Sequence, residues 1–231
     1  MQGLNSYKIG VLGGMGSYAT LHFFERLLDA FDVEKEWERP RIIIDNNCVL
    51  PSRTRAILYH ERRDELVRGM ADSIRRLVTY DVDAIAIPCN TAHCFLPEVR
   101  GALGEPDRVV DMLGLVAAAA EPGTWSVLAT EGTVATRVYE QYLGPKGIKI
   151  DYGDEALQAE SRTWIEVVKQ KQPIDAEAYF AFLRRAGARV VLGCTELSVL
   201  DAACGAPEDV RVLDPIGLMV AELHTRATTQ G

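Results

Sequence analysis

The chain has 231 residues, 48% of them hydrophobic, and 25 Lys and Arg against 33 Asp and Glu give a formal net charge of −8. That length suits one large domain or two of ordinary size, either of which buries a core without disulfide staples. The acidic balance argues against nucleic acid and anionic membrane as partners, since phosphate binding needs concentrated Lys and Arg. No apolar run reaches the roughly 18–20 residues of a membrane span, and the amino terminus lacks the basic, apolar and small-residue pattern of a signal peptide. A cytoplasmic protein acting on a small molecule is expected. The five cysteines, Cys48, Cys89, Cys94, Cys194 and Cys204, form an odd set without regular short spacing and are expected to be thiols.

Residues 8–12 (KIGVL) predict a buried strand, and Gly13, Gly14, Met15 and Gly16 a tight turn after it. The helix that follows carries Leu21, Phe24, Leu27, Leu28 and Phe31 at three- and four-residue spacing. Residues 41–45 (RIIID) predict the second strand, and 46–54 (NNCVLPSRT) are too polar and turn-rich to continue it. A helix over 61–79 turns Leu66, Met70, Ile74 and Leu77 inward and its arginines to solvent. The strand at 83–88 ends in Pro88 and hands forward Cys89 beside Asn90, Thr91 and His93. A helix after Asn90 and a strand at 108–110 complete this half. Strand alternating with helix implies a mainly parallel sheet covered on both faces.

The second half begins the pattern again. Residues 11–20 (VLGGMGSYAT) and 127–136 (VLATEGTVAT) share Val, Leu, Gly, Ala and Thr at matching places. Cys194 in VLGCTELSVL answers Cys89, and DPIGLMVA from Asp214 answers DMLGLVA from Asp111. Strands are predicted at 125–129, 148–152, 189–193 and 210–213, with helices at 133–143, 161–169 and 176–186. The expected fold is α/β, with two similar lobes related by internal duplication, each a mainly parallel four-stranded sheet flanked by helices. Residues 1–111, joined by a C-terminal helix at 214–231, form the first lobe and 112–213 the second. Ligands bind at the carboxyl edge of such sheets, so a cleft between the halves would see both Cys89 and Cys194.

Several chemistries compete for these residues. Gly14, Gly16 and Ala19 fit G-x-G-x-x-A, with Asp45 as a ribose-binding acid. The interval to Asp45 exceeds the usual ~20 residues, however, and the second copy keeps only Gly132. Cys89, His93, Cys94 and Cys194 offer metal-ligand types without the paired short spacings of a structural zinc site, so no metal is expected. Cys89 with His93 could form a hydrolase pair. Two cysteines on one pocket suit a further chemistry. A thiol pKa near 8.5 falls at helix amino termini or near cations, allowing one thiolate beside one thiol. Such a pair can remove a proton from one face of a carbon and return another to the opposite face, inverting a stereocentre. Met15, Thr130 and Thr133 in the duplicated turns, and Asn90, Thr91 and Thr195 beside the cysteines, are the candidate substrate-binding residues.

The segments IGVLGGMGSYAT, LPSRT, IPCNTAH, LATEGT, VLGCTELSVL and VLDP together resemble the aspartate racemase family, within the aspartate/glutamate/hydantoin racemase superfamily, over essentially the whole chain. The resemblance implies two α/β lobes with the site between them, racemisation without pyridoxal phosphate or another cofactor, and Cys89 and Cys194 as the acid/base pair. It implies that Arg53 binds the side-chain carboxylate of aspartate, which a guanidinium grips through two parallel hydrogen bonds. Lys169 is implied to assist, with Lys171 nearby as a competitor. Aspartate is the first expected substrate, glutamate the second, and a homodimer the expected assembly. Two alternatives stand beside it: a thiol-dependent isomerase or decarboxylase of a small diacid, and a non-catalytic protein that binds acidic amino acids.

Overall fold

The computed structural model describes residues 3–103 and 108–230. Among these, the strands are β1 (Lys8–Gly13), β2 (Arg41–Asn46), β3 (Ala84–Ala86), β4 (Thr124–Ala129), β5 (Lys149–Asp151), β6 (Arg189–Gly193) and β7 (Arg211–Leu213). The first half carries helices α1 (Ser17–Ala30), α2 (Arg53–Leu58), α3 (Arg63–Val78), α4 (Asn90–His93), α5 (Leu96–Leu103) and α6 (Met112–Ala119). The second carries α7 (Glu131–Thr136), α8 (Val138–Leu143), α9 (Glu155–Lys169), α10 (Ala176–Ala186), α11 (Thr195–Cys204) and α12 (Pro215–Gln230).

Two parallel sheets run in the orders β2-β1-β3 and β5-β4-β6-β7. The first has three strands rather than the expected four. Residues 108–110 reach it only through a bridge from Val109 to Ile85, with Ile85 N donating to Arg108 O at 2.7 Å and Val110 N to Ile85 O at 2.9 Å. The cause lies on both sides of that bridge. Pro88 follows β3 closely and has no N–H for a ladder, while Asp111 leaves the edge to cap α6 by accepting from Gly114 N at 3.1 Å. The bridge still sits where the second sheet pairs Val190 with Val212, so the edge order repeats.

Each sheet is packed on both faces. Leu12, Ile85 and Ile87 pack with α3 through Leu66, Met70 and Ile74, while Ile9, Val11 and Ala84 pack with Phe23 and Leu27 of α1. Ile216, Met219, Val220 and Leu223 of α12 join that second cluster, so the C-terminal helix closes onto the N-terminal sheet. In the other half, Leu128 and Leu192 meet Trp164, Phe182 and Leu197, and Val127 and Val191 meet Leu113, Val116 and Tyr139. Full burial of such aliphatic and aromatic side chains contributes about 1.5–3 kcal/mol each.

Two helices differ from expectation. The helix expected over 133–143 is two short ones that meet at Arg137, which holds a left-handed φ of 49°. Thr136 Oγ1 bonds Thr133 O at 2.8 Å and so competes with helix continuation. The helix expected from 161 starts at Glu155, where Asp154 caps it by accepting from Leu157 N at 2.8 Å. No helix among the described residues is long and apolar enough to cross a membrane.

Candidate active site

Both cysteines are presented by the same device. β3 ends at Ala86, and Cys89 holds extended backbone (φ −157°, ψ 107°) immediately before α4. β6 ends at Gly193, and Cys194 (φ −138°, ψ 132°) immediately precedes α11. Each thiol-bearing residue is 6% exposed. Both line one small cavity of about 110 Å³, whose walls come from residues following β1, β2, β3, β4 and β6, together with Lys169 of α9. The carboxyl edges of the two sheets therefore share one cavity.

Its polar lining is ordered from behind. Thr91 Oγ1 lies 2.9 Å from both Thr130 Oγ1 and Thr133 Oγ1, a hydroxyl cluster tying the first half to the second. Tyr139 donates its hydroxyl to Asn90 Oδ1 at 2.6 Å, which fixes the amide and leaves Asn90 Nδ2 buried without a partner. Arg53 Nη2 donates to the Met15 carbonyl at 2.7 Å, and Arg53 Nε is likewise buried without a partner. Buried donors are normally satisfied, at a cost of about 1–3 kcal/mol when they are not. Both residues that carry these unpartnered donors line the cavity.

The sequence profile described as Asp/Glu/Hydantoin racemase matches residues 12–223. The chain belongs to this racemase family. It is 29% identical over 168 residues to the broad specificity amino-acid racemase RacX of Bacillus subtilis, covering 70% of this chain and 71% of that one. It is 30% identical over 209 residues to the glutamate racemase of Deinococcus radiodurans, covering 82% and 68%. Among solved structures, Picrophilus torridus aspartate racemase superposes with a TM-score of 0.80 at 24% identity, over 96% of this chain and 94% of that one. The two-lobe racemase fold is thereby shared.

For a racemase-family chain, nine of the residues singled out from sequence fall on the cavity: Met15, Arg53, Cys89, Asn90, Thr91, Thr130, Lys169, Cys194 and Thr195. Thr133 does not line it. It is fully buried behind Thr91 and Thr130, holding their hydroxyls and giving its own N–H to Thr130 Oγ1 at 3.3 Å. Lys169 Nζ pairs with Glu166 at 2.9 Å; burial opposes its charge, but Glu166, Glu196 and Cys194 together push its pKa up. Lys171 lies elsewhere, its ammonium 4.3 Å from the Tyr18 ring centre in a separate groove.

Other sequence readings meet physical obstacles. The Gly14 turn is filled by its own neighbours: Gly14 N donates to Thr20 Oγ1 at 3.1 Å, and a Cβ on Gly14 would stand 2.4 Å from the Asn47 backbone. The Gly14 amide is thus engaged within the turn and is not free for a pyrophosphate. His93 turns Nε2 onto the Ile87 carbonyl at 3.1 Å and is fully enclosed, which lowers its pKa to about 4. Cys94 is pushed up to about 11 by burial, contacts Thr136 Oγ1 at 3.4 Å and packs into the core, as a structural cysteine does.

Cys194 corrects the expectation that a helix start lowers a thiol pKa. Burial first, then the charge and hydrogen bond of Glu196, raise it well above the ordinary thiol value. Sequence reasoning missed Glu196, as well as Ser52 and Thr54, which flank Arg53 on the cavity wall. The signal for the latter pair lay in LPSRT itself.

Proposed function

We propose that the protein is a cofactor-independent racemase of an acidic amino acid, aspartate first and glutamate second, with Cys89 and Cys194 as the two acid/base groups. One observation carries this: two buried cysteines at equivalent strand ends line a single small cavity together with Arg53 and Asn90, each of which keeps a buried unpartnered donor. The names of the similar aspartate and glutamate racemases agree with a carboxylate-rich substrate.

In this reading Arg53 receives the side-chain carboxylate and Lys169 adds positive charge, while Asn90, Thr91, Thr130 and Thr195 surround the α-carboxylate. One cysteine, as thiolate, takes the α-hydrogen, and the bonding pair moves onto the α-carboxylate system. The other, as thiol, gives its proton to the opposite face, forming the mirror-image C–H bond. Donors held in place by the Tyr139 and threonine contacts favour the charge that develops in the transition state. By analogy with oxyanion holes, each supplies a factor of about 10²–10³.

A chiral chromatography screen of all proteinogenic amino acids, run without added cofactor, tests the proposal. Aspartate or glutamate is expected to racemise, and Cys89→Ser or Cys194→Ser alone to abolish it. Turnover of neutral amino acids at equal rate would remove the acidic specificity. Full activity in Cys194→Ala would remove the two-cysteine mechanism. Calorimetric binding of aspartate without optical change would instead favour a sensor.

A further inference from the structure

The two cysteines sit at equivalent strand ends but have different neighbours, and one of the differences places a charge. Two residues beyond Cys89 stands Thr91, and two residues beyond Cys194 stands Glu196. We propose that Glu196 is a positioning residue that keeps the resting proton on Cys194, so that Cys194 is the thiol partner of the pair at rest. This rests on the racemase reading given above.

The geometry is specific. Cys194 Sγ donates to Glu196 Oε2 at 3.0 Å, and Glu196 is 5% exposed. The Thr195 hydroxyl donates to the same oxygen at 3.5 Å. On its other side, Glu196 Oε1 occupies space that Gly16 leaves open, since a Cβ on Gly16 would lie 2.8 Å away. The glycine turn after β1 thus houses the carboxylate that grips the cysteine after β6. A thiol facing this carboxylate makes a charge-assisted hydrogen bond. A thiolate in its place would be a like-charge pair with little water to screen it.

The charged and titratable groups facing Cys194 come from four directions: Cys89 before α4, Tyr139 of α8, Lys169 of α9 and Arg53 of α2. Lys169 is engaged by Glu166, and Arg53 by the Met15 carbonyl. Thr91, the counterpart of Glu196, spends its hydroxyl on Thr130 and Thr133 and brings no charge to Cys89. The two halves thus supply like thiols and unlike neighbours.

A kinetic consequence follows. Racemisation has an equilibrium constant of one, so kcat/KM must be equal for the two enantiomers. The enantiomer that needs Cys194 as thiolate binds a sparsely populated form, and its KM rises by the inverse of that population. Its kcat rises in proportion. Glu196→Gln is expected to draw the two KM values towards each other.

The test combines that KM ratio with a direct titration that needs no turnover. In a Cys89→Ser background, the pH midpoint of Cys194 alkylation by iodoacetamide is followed by peptide mass spectrometry. Glu196→Gln is expected to lower the midpoint by about one to three pH units, whereas Glu196→Asp, which keeps a carboxylate, stays above the Gln variant. Should Glu196→Gln fail to fold, Gly16→Ala, which crowds Oε1, is expected to lower the midpoint in the same direction. An unmoved midpoint in a folded variant overturns the proposal, as does an unchanged KM ratio in an active one. A shifted midpoint in a protein that racemises nothing upholds the link from Glu196 to Cys194 and removes only the racemase reading.

Discussion

Arg53 is anchored at one nitrogen and unpartnered at another: Nη2 holds the Met15 carbonyl, and Nε is a buried donor without an acceptor on a residue that lines the cavity. Lysine cannot do both, because its single ammonium lacks the fork. Arg53→Lys is therefore expected to lose one charge-assisted contact of about 1.5–3 kcal/mol, seen as a fall of roughly 10- to 10²-fold in kcat/KM, carried mostly by KM. His93 makes a second prediction at this scale. Its pKa is lowered by burial from 6.5 to about 4, so below pH 6.5 the unfolded chain takes a proton that the native protein refuses. Stability from this residue is complete above pH 6.5 and is lost as pH falls towards 4, in total ~3 kcal/mol. In denaturant titrations across that window, His93→Gln is expected to show a flatter loss of stability than the native sequence. A parallel slope would mean that His93 titrates normally. Cys89 and Cys194 were legible in the sequence because each sits in a short motif just after a strand, and Arg53 because it belongs to the LPSRT motif that opens α2. Glu196 was not, since an acidic residue in the first turn of a helix reads as ordinary dipole complementation. Only the fold brings its carboxylate against Cys194 and Gly16.

Elements deliver these residues through turns, and the turn after β1 has the least latitude. Gly14 holds φ +83° against the Asn47 backbone. Gly14→Ala is expected to cost roughly 1–2 kcal/mol from its left-handed backbone alone, and more from the contact with Asn47. Thermal unfolding reads this as a fall of about 2–4 °C per kcal/mol for a chain of this size; an unchanged midpoint would show that the turn relaxes freely. Most strands and the helix Ala176–Ala186 were legible from apolar period and turn residues. The break at Arg137 was not, because nothing in VATRVYE is a glycine or proline. Nor was the reduction of 108–110 to a bridge, which depends on Pro88 and the Asp111 cap acting on neighbouring segments.

At the scale of the molecule, the duplication visible in the sequence is what makes the fold legible. Matching β1 with β4 and β3 with β6 carries Cys89 and Cys194 to equivalent edges. The closure of α12 on the first sheet gives one prediction here: Leu223→Ala, at a fully buried position, is expected to cost about 2–5 kcal/mol. Equilibrium denaturation measures that loss, and a cost below ~1 kcal/mol would mean that α12 is a loose appendage. Placement of one thiol from each half on a single cavity is the whole-molecule feature on which the proposed chemistry depends. The most direct measurement is racemisation of each aspartate enantiomer in heavy water, sampled early. Two opposed cysteines predict that newly formed product carries solvent deuterium at the α-carbon while the remaining substrate keeps its protium. Deuterium appearing equally in substrate and product from the first time points would contradict the account and require a single shared base.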